Sequence, residues 1–318
     1  MKYILILVIA VLLDFFLGDP QRWPHPIRYI GWMIKKYEGM IRKQKIVDLK
    51  VGGFLLIFLS LVTVFIVIAL ILFVTNFIHP IIKDIVLVYL TYTALAAKCL
   101  AVETKKVYKA LEKENVHLGR KMLSYLVGRD TTQLTKEETV RGAVETVAEN
   151  TVDGVLAPIF YFVIGIFLGM PLQMIFIYKT INTLDSMVGY IHEKYRDIGF
   201  ASAKIDDIAN FVPARIGSLC MLLGGLVLGF DIKTGFKILI RDRKNHKSPN
   251  CGYPEAAVAG LLRIQLGGTN TYFGETIYKP TIGDPIEDLK PQKILETIRV
   301  MYASEIIMVL VAAMVFLV

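Results

Sequence analysis

Long apolar stretches alternate with polar, basic ones along this chain. Residues 51–75 carry no charge, and at about 1.5 Å per residue a helix of that length exceeds the bilayer core of about 30 Å. Residues 77–100 follow after almost no connector, so the two stretches predict a helical hairpin. Residues 1–18 and 301–318 predict a first and a last span, the first retained because it lacks small residues before a cleavage site.

Two further apolar stretches are less regular. Residues 154–178 are uncharged but contain three glycines and two prolines, which predicts a broken or re-entrant segment. Residues 216–230 are short for a full crossing and predict a partial span. The pattern predicts an all-α polytopic integral membrane protein with four firm transmembrane helices, up to six, and a single membrane-embedded domain over residues 1–318.

Composition and charge agree with a membrane protein. The hydrophobic content of 54% and the mean hydropathy of +0.53 exclude an ordinary soluble domain. The net charge of +8 is concentrated between the apolar stretches, so it indicates topology rather than nucleic-acid binding. The basic stretches 19–50, 103–150 and 231–299 are expected on the cytoplasmic side of the plasma membrane, with both termini outside. The three cysteines are widely separated and indicate neither a disulfide framework nor a zinc site.

Polar residues cluster in four places, none of which contains a P-loop or a dinucleotide-binding fingerprint. The first cluster follows the first span, where three prolines in seven residues prevent a helix and predict a turn. His25 lies between two of these prolines and could be held toward a ligand. An interfacial elbow is the simpler interpretation.

The second cluster runs from residue 128 to residue 158. Arg141, Glu145, Glu149 and Asp153 recur every four residues, so on a helix they form one ionic stripe. A solvated face with weak intrahelical ion pairs is one interpretation. A functional stripe is the favoured one, because it ends against an apolar stretch, where carboxylates are costly unless they are paired or used.

The third cluster spans residues 182–215. Asp206 and Asn210 are one helical turn apart and Asp207 is adjacent, a set of oxygen ligands that could hold magnesium with several waters. These acids could instead merely balance nearby cations. The motif N-T-x-D occurs at Asn150 and again at Asn182, and the two copies could face a common pocket.

The fourth cluster is S-P-N-C-G-Y-P-E-A-A, residues 248–257. Ser248 and Asn250 belong to a predicted turn, after which Pro254 starts a small-residue helix with Glu255 in its first turn. Such a helix start offers free N–H groups to an anion. The basic residues upstream could add to this site or could be only a topology signal.

Several long motifs of these clusters resemble the adenosylcobinamide-phosphate synthase family, the CobD/CbiB membrane proteins of cobalamin biosynthesis. They are L-D-x-x-L-G-D-P-x-x-x-P-H-P, G-R-D-T, R-x-A-V-E-T-V-A-E-N-T-V-D-G-V-x-A-P, N-T-L-D-S-M-V-G-Y with P-A-R, and S-P-N-x-G-Y-P-E-A-A. They occur in the family's order over nearly the whole chain. Gly142, where the family is expected to have alanine, is a minor departure.

The resemblance implies an ATP-dependent ligase that joins aminopropanol or its O-phosphate to the propionate carboxyl of adenosylcobyric acid, giving adenosylcobinamide or its phosphate. ATP and Mg²⁺ are then implied, with the corrinoid as a substrate and other membrane-bound enzymes of the pathway as conceivable partners. Our hypothesis for the site has three sets. The catalytic candidates are Glu145, Glu149, Asp153 and Asp185. The candidates for substrate or phosphate binding are Arg129, Arg141, Asn150, Asn182, Arg196, Arg215, Ser248, Asn250, Glu255 and His25. The metal candidates are Asp206, Asp207 and Asn210.

Two other classes of function are alternatives. A non-enzymatic, AmpE-like membrane sensory protein resembles this family, but the intact acidic motifs argue against it. A transporter would suit broken helices and a repeated N-T-x-D motif. A transporter is expected to carry charged residues at the membrane midplane, whereas the charged residues of this chain lie mostly at helix ends and in loops.

Overall fold

The structure is a computed structural model that describes residues 1–20, 23–44, 48–190, 193–272 and 275–316, without the side chains of residues 270–272 and 275–277. These residues form two compact units. Unit 1 contains Met1–Ala96, Ala157–Asn210 and Ala312–Val318, and unit 2 contains Ala97–Leu156 and Phe211–Val311. The single membrane-embedded domain predicted for residues 1–318 stays a prediction.

Helices dominate the described residues, and one short hairpin is the exception. The first helices are α1 (Lys2–Leu17), α2 (Pro26–Gln44), α3 (Leu49–Ile78), α4 (Pro80–Thr93), α5 (Ala97–Glu112), α6 (Val116–Ser124) and α7 (Lys136–Thr151). A π-helical turn, Val152–Leu156, follows α7. The remaining elements are α8 (Ala157–Phe167), α9 (Pro171–Val188), α10 (Phe200–Ala209), α11 (Phe211–Val227), α12 (Ile232–Asp242), α13 (Gly252–Leu262), β1 (Leu266–Tyr272), β2 (Glu275–Ile282) and α14 (Gln292–Val315).

The described part of the chain has four helices that are long and apolar enough to cross a membrane. They are Leu49–Ile78, Pro80–Glu112, Lys136–Phe167 and Gln292–Val315, and the bent pair of α10 and α11 could make a fifth. The prediction of an all-α membrane protein with four helices long enough to span is therefore confirmed in class and in number, although Lys136–Phe167 stands in place of the predicted first span. Helix α1 has 16 residues, which at about 1.5 Å each is shorter than a bilayer core. The end of the predicted last span, residues 317–318, lies outside the described residues.

Unit 1 is built around α3, which packs against α2, α4, α9 and α10. Its sequence is apolar on all sides, and large side chains such as Phe58 and Phe73 are 62% and 70% exposed. Such a surface is expected to face lipid. Helices α8 and α9 form a hairpin whose turn has Gly169 at a φ of 72° and Pro171 at the start of α9. The predicted break in residues 154–178 is thus confirmed.

Unit 2 surrounds α7 and α13, which contact each other. Helices α5 and α6 also pack on α7, while α11 and α12 pack on α13. Strands β1 and β2 pair in antiparallel fashion, with Leu266 opposite Ile282 and a register shift between Leu266 and Gly268. This β-hairpin was not predicted from the sequence. It brings the start of β1 onto α7 and β2 onto α13, so it positions the polar residues of this unit.

Candidate functional site

The ionic stripe predicted in the second cluster lies on α7 and its π-helical extension. Thr135 caps α7 through a reciprocal pair of hydrogen bonds with Glu138, which fixes where the helix begins. Arg141, Glu145 and Glu149 follow on α7, and Asp153 falls on the π-helical turn. Such widened turns occur frequently at functional sites.

Glu145 is the most buried member of the stripe, with 4% of the residue exposed. Its Oε2 accepts a hydrogen bond from Arg129 Nη2, and its Oε1 accepts one from the backbone N–H of Gly267 at 2.9 Å. Arg141 Nε lies 3.9 Å from the same Oε1. Both carboxylate oxygens are therefore engaged, which gives Glu145 the contacts of an anchor for β1 and for the Arg129 loop.

Glu149, one turn further along α7, is less enclosed. Cys251 Sγ donates to its Oε1 at 3.1 Å. Burial, and then the nearby Glu149 and Asp153 carboxylates, raise the pKa of the Cys251 thiol, so the sulfur stays protonated and acts as a donor. Cys251 was not among the residues predicted for the site, although it lies inside the S-P-N-C-G-Y-P-E motif. Asn150 follows Glu149 on α7, and its Nδ2 donates a hydrogen bond to Thr146 O at 2.9 Å.

The predicted turn before α13 is present. Ser248 Oγ accepts the backbone N–H groups of Asn250 at 3.2 Å and of Cys251 at 3.4 Å. Helix α13 then begins at Gly252, where a Cβ would lie 2.4 Å from Arg243 O, so a side chain does not fit. Glu255 lies in the first turn of α13, as predicted.

Glu255 is 3% exposed and has two basic neighbours that the sequence analysis did not select. His246 Nε2 is 4.0 Å from Glu255 Oε1, and Lys279 Nζ is 3.4 Å from the same His246 nitrogen. His246 Nδ1 accepts the backbone N–H of Ser248 at 2.9 Å, which places the proton of the neutral ring on Nε2.

Burial governs the protonation of both groups. Burial first, and then repulsion by Glu145 and Glu149, raise the pKa of Glu255 well above its ordinary range. Burial and then the Lys279 ammonium lower the pKa of His246. Both shifts therefore favour the uncharged forms, a protonated Glu255 carboxyl and a neutral His246 imidazole.

Arg215 stacks on two aromatic rings in unit 2. Its guanidinium carbon is 3.4 Å from the ring centroid of Phe211 and 4.3 Å from that of Tyr253. Nη1 also donates to Asn250 Oδ1 at 3.2 Å. These contacts orient the planar guanidinium, a group suited to oxyanions.

Unit 1 holds the predicted metal set. Asn210 Nδ2 donates to Asp206 Oδ2 at 3.0 Å, and Tyr178 Oη donates to Asn210 Oδ1 at 2.9 Å. Asn182 and Asp185 lie beside the Asp206 carboxyl, whose Oδ1 is buried without a hydrogen-bond partner in the structure as described. Within the described ranges, no group of three or more His, Cys, Asp or Glu side chains is arranged to hold a metal. A magnesium site with few protein ligands does not need such a group.

Asp207 and Arg196 lie toward the surface of unit 1. Lys204 Nζ is 3.7 Å from Asp207 Oδ2. Arg196 is exposed in the turn before α10.

His25 lies in unit 1 before α2, in the predicted turn. Its Nε2 is 3.7 Å from Asp19 Oδ1, and Arg28 Nη2 is 3.8 Å from the other oxygen of Asp19. Burial lowers the pKa of His25, with Arg28 and Lys179 adding to this effect and Asp19 opposing it. A neutral imidazole is the result at physiological pH.

The predicted site residues thus fall into two groups. Unit 2 contains Arg129, Arg141, Glu145, Glu149, Asn150, Asp153, Arg215, Ser248, Asn250 and Glu255. Unit 1 contains His25, Asn182, Asp185, Arg196, Asp206, Asp207 and Asn210. That the N-T-x-D copies at Asn150 and Asn182 face a common pocket stays a prediction.

The chain is similar to bacterial proteins named "Cobalamin biosynthesis protein CobD". The protein of Clostridium tetani is 48% identical over 310 residues, covering 97% of this chain and 96% of the relative. Those of Clostridium acetobutylicum and Citrobacter koseri are 47% and 45% identical, covering 96% and 93% of this chain and 96% and 92% of the relatives. A family model described as "CobD/Cbib protein" matches residues 7–301. No solved structure matches the chain.

The Arg129–Glu145 pair generates a prediction about stability. Replacing Arg129 by Met removes the closest cation of a buried carboxylate, leaves only Arg141 Nε at 3.9 Å, and should lower the free energy of unfolding by up to about 3–5 kcal/mol. Thermal unfolding of the purified protein in detergent measures this loss. The double variant Arg129→Met/Glu145→Gln removes both charges and should recover part of it. Equal stabilities of the single variant and the wild type would show that Glu145 is not held as a buried ion.

The raised pKa of Glu255 generates a prediction about pH. When the pH rises above 4.5, the ordinary pKa of the carboxyl group, Glu255 loses its proton in the unfolded state but keeps it in the folded state. This group's contribution to stability therefore falls as the pH rises, by about 1.4 kcal/mol per pH unit until the folded carboxyl ionises. Glu255→Gln cannot ionise, so its stability relative to wild type should increase as the pH rises above 4.5, the ordinary pKa of the carboxyl group.

Unfolding in detergent at a series of pH values tests this trend. The exposed Glu193→Gln is the matched control for the loss of one carboxyl group. A pH-independent difference for Glu255→Gln would mean that Glu255 is ionised in the folded protein.

Proposed function

The chain belongs to the CobD/CbiB protein family, and we propose that it acts in cobalamin biosynthesis as an ATP-dependent carboxylate-amine ligase. The proposed reaction joins aminopropanol, or its O-phosphate, to the propionate carboxyl of adenosylcobyric acid. The observation that carries this proposal is the buried centre of unit 2, in which the carboxyl groups of Glu145, Glu149 and Glu255 lie near cations held by side-chain and backbone contacts.

Two carboxyl groups of this centre are suited to different roles. Glu255 is buried and its pKa is raised, so its protonated form can donate a hydrogen bond to an oxygen that gains charge. Glu149 is partly exposed and accepts a weak hydrogen bond from the Cys251 thiol, so it is suited to accept a proton from a substrate ammonium group. Glu145, engaged at both oxygens, fits the role of an anchor better than that of a base.

The reaction can be written in two steps. The propionate oxygen attacks the terminal phosphorus of ATP, which forms an acyl phosphate and releases ADP. The substrate amine then attacks the acyl carbon, the amide C–N bond forms, and phosphate leaves. Glu149 takes the proton that the amine nitrogen loses, a contribution of about 10²–10⁴ to the rate. Arg141 and Arg215 are the proposed phosphate-binding cations, because both present guanidinium groups at less enclosed positions than Arg129.

Magnesium fits the residues of unit 1 that were predicted to bind it. Asp206 Oδ1 is a buried oxygen without a hydrogen-bond partner in the described residues, the kind of atom that a cation would satisfy. We propose that Asp206 holds the ion, with Asp207 and Asp185 nearby, while Asn210 orients Asp206. Magnesium bound there would supply positive charge to a substrate oxygen.

The proposed setting is the plasma membrane, with the main polar loops on the cytoplasmic side. The candidate spans support membrane insertion, and the basic stretches between them support this orientation by the positive-inside rule. The corrinoid, aminopropanol or its phosphate, and ATP would then reach the site from the cytoplasm.

An assay of the purified protein tests the ligase directly. Protein in detergent, supplied with adenosylcobyric acid, aminopropanol phosphate and MgATP, should form the amide product. Glu149→Gln should reduce turnover about 10²–10⁴-fold, because the ammonium proton loses its acceptor, while corrinoid binding persists. Glu103→Gln, on the surface of α5, is the matched control and should retain activity. Binding or transport of corrinoid without amide formation by the wild type would contradict the ligase and favour a transporter.

Asp206 provides a second test. Asp206→Asn keeps the size of the side chain and removes its charge, so turnover should fall and the magnesium concentration needed for half-maximal rate should rise at least about tenfold. The exposed Asp197→Asn is the matched control. An unchanged magnesium dependence in Asp206→Asn would remove this residue from the metal site.

A further inference from the structure

A cavity of about 500 Å³ lies in unit 2, and its lining residues include Lys136, Arg141, Gly267 and Gly268. Its lining also includes Pro285 and residues 287–291. Apart from Arg141 and Gly267, none of these residues belongs to the site described above. Cavities of this size usually hold small molecules.

Three cations border the cavity. Arg141 Nη2 donates to Thr269 O at 2.9 Å, which holds the guanidinium beside the start of β1. Lys136 Nζ pairs with Glu114 Oε1 at 2.6 Å, and Lys290 Nζ is 3.5 Å from Asp288 Oδ2. Exposed pairs of this kind contribute little stability, so either lysine can exchange its partner for a phosphate oxygen at low cost.

Carboxylates border the cavity as well, and they argue against a bare anion as its ligand. Glu287 is occupied by Lys293, whose Nζ lies 2.6 Å from Glu287 Oε2. The side chain of Asp288 is 82% exposed. An exposed carboxylate beside bound phosphates suits a hydrated magnesium ion. Cations and carboxylates together therefore fit a metal-bound polyphosphate.

Two consecutive glycines form the floor of the cavity and connect it to the carboxylate centre. Gly267 and Gly268 have φ values of 80° and 83°, a region that favours glycine. A Cβ on Gly268 would lie 3.0 Å from Arg141 Nη1, so the absence of a side chain leaves the guanidinium accessible. The N–H of Gly267 binds Glu145, which lies one helical turn before Glu149 on α7. The two glycines therefore lie close to the residue proposed to act on the amine.

We propose that this cavity binds the magnesium complex of a nucleoside triphosphate, with Arg141, Lys136 and Lys290 contacting the phosphates. This proposal rests on the proposed ligase function and locates its nucleotide site. A corrinoid is too bulky for the cavity, and an aminopropanol phosphate would leave most of it empty. The polyphosphate would lie beside the anchored end of β1, without a P-loop.

Nucleotide binding to the full-length protein in detergent, without corrinoid or amine, tests the site. A fluorescent trinitrophenyl derivative of ATP, displaced by MgATP, gives the affinity. Lys136→Ala and Lys290→Ala should each weaken MgATP binding about tenfold, the loss expected for one charge-assisted contact. The exposed Lys109→Ala, outside the cavity, should bind as the wild type does. Asp288→Asn should weaken binding of MgATP but not of metal-free ATP.

The outcomes separate this proposal from the ligase function. If the wild type forms amide with MgATP but both lysine variants bind the nucleotide normally, the site is elsewhere and the ligase remains. Displacement of the probe by aminopropanol phosphate or inorganic phosphate as readily as by MgATP would overturn the assignment of a nucleotide. If amide forms without any nucleotide, the ATP-dependent chemistry fails and this site fails with it.

Discussion

The buried carboxylate of Glu145 is the constraint on which unit 2 depends. An ionised carboxylate removed from water is costly unless a cation and hydrogen-bond donors satisfy it. Arg129 supplies the cation from the loop before α7, and Gly267 supplies a backbone N–H from the start of β1. One side chain on α7 thereby fixes a loop and a hairpin that are distant in sequence, and both must be in place for the charge to be stable.

The same burial determines the protonation of the neighbouring groups. Burial, and then repulsion by the nearby Glu145 and Glu149 carboxylates, disfavours a charge on Glu255 and raises its pKa. The pKa of His246 is lowered for the matching reason, since burial and Lys279 disfavour a second cation. These two shifts thus follow from packing, and the acid role proposed for Glu255 rests on its shift.

The sequence predicts local features of this fold well and distant contacts poorly. A four-residue spacing predicts that Arg141, Glu145 and Glu149 share one face of a helix, and the Gly and Pro residues between 154 and 178 predict the break between α8 and α9. Spacing cannot tell which acid on a stripe is buried, because that depends on α13 and β1. His246 and Lys279 are 33 residues apart, and their contact depends on the unanticipated hairpin. A lone histidine in a basic loop carries no local signal of it.

The helix formed by Lys136–Phe167 relates the polar centre to the membrane. Its first half carries the ionic stripe, whereas Ala157–Phe167 is entirely uncharged. The π-helical turn at Val152–Leu156 separates these halves. In a bilayer the uncharged half can lie in hydrocarbon, but each acid of the first half must be paired, protonated or in contact with water. Pairing accounts for Glu145, and partial exposure accounts for Glu149. A membrane helix therefore tolerates this cluster of acids only where the rest of unit 2 covers it, so burial and catalytic suitability have the same structural origin.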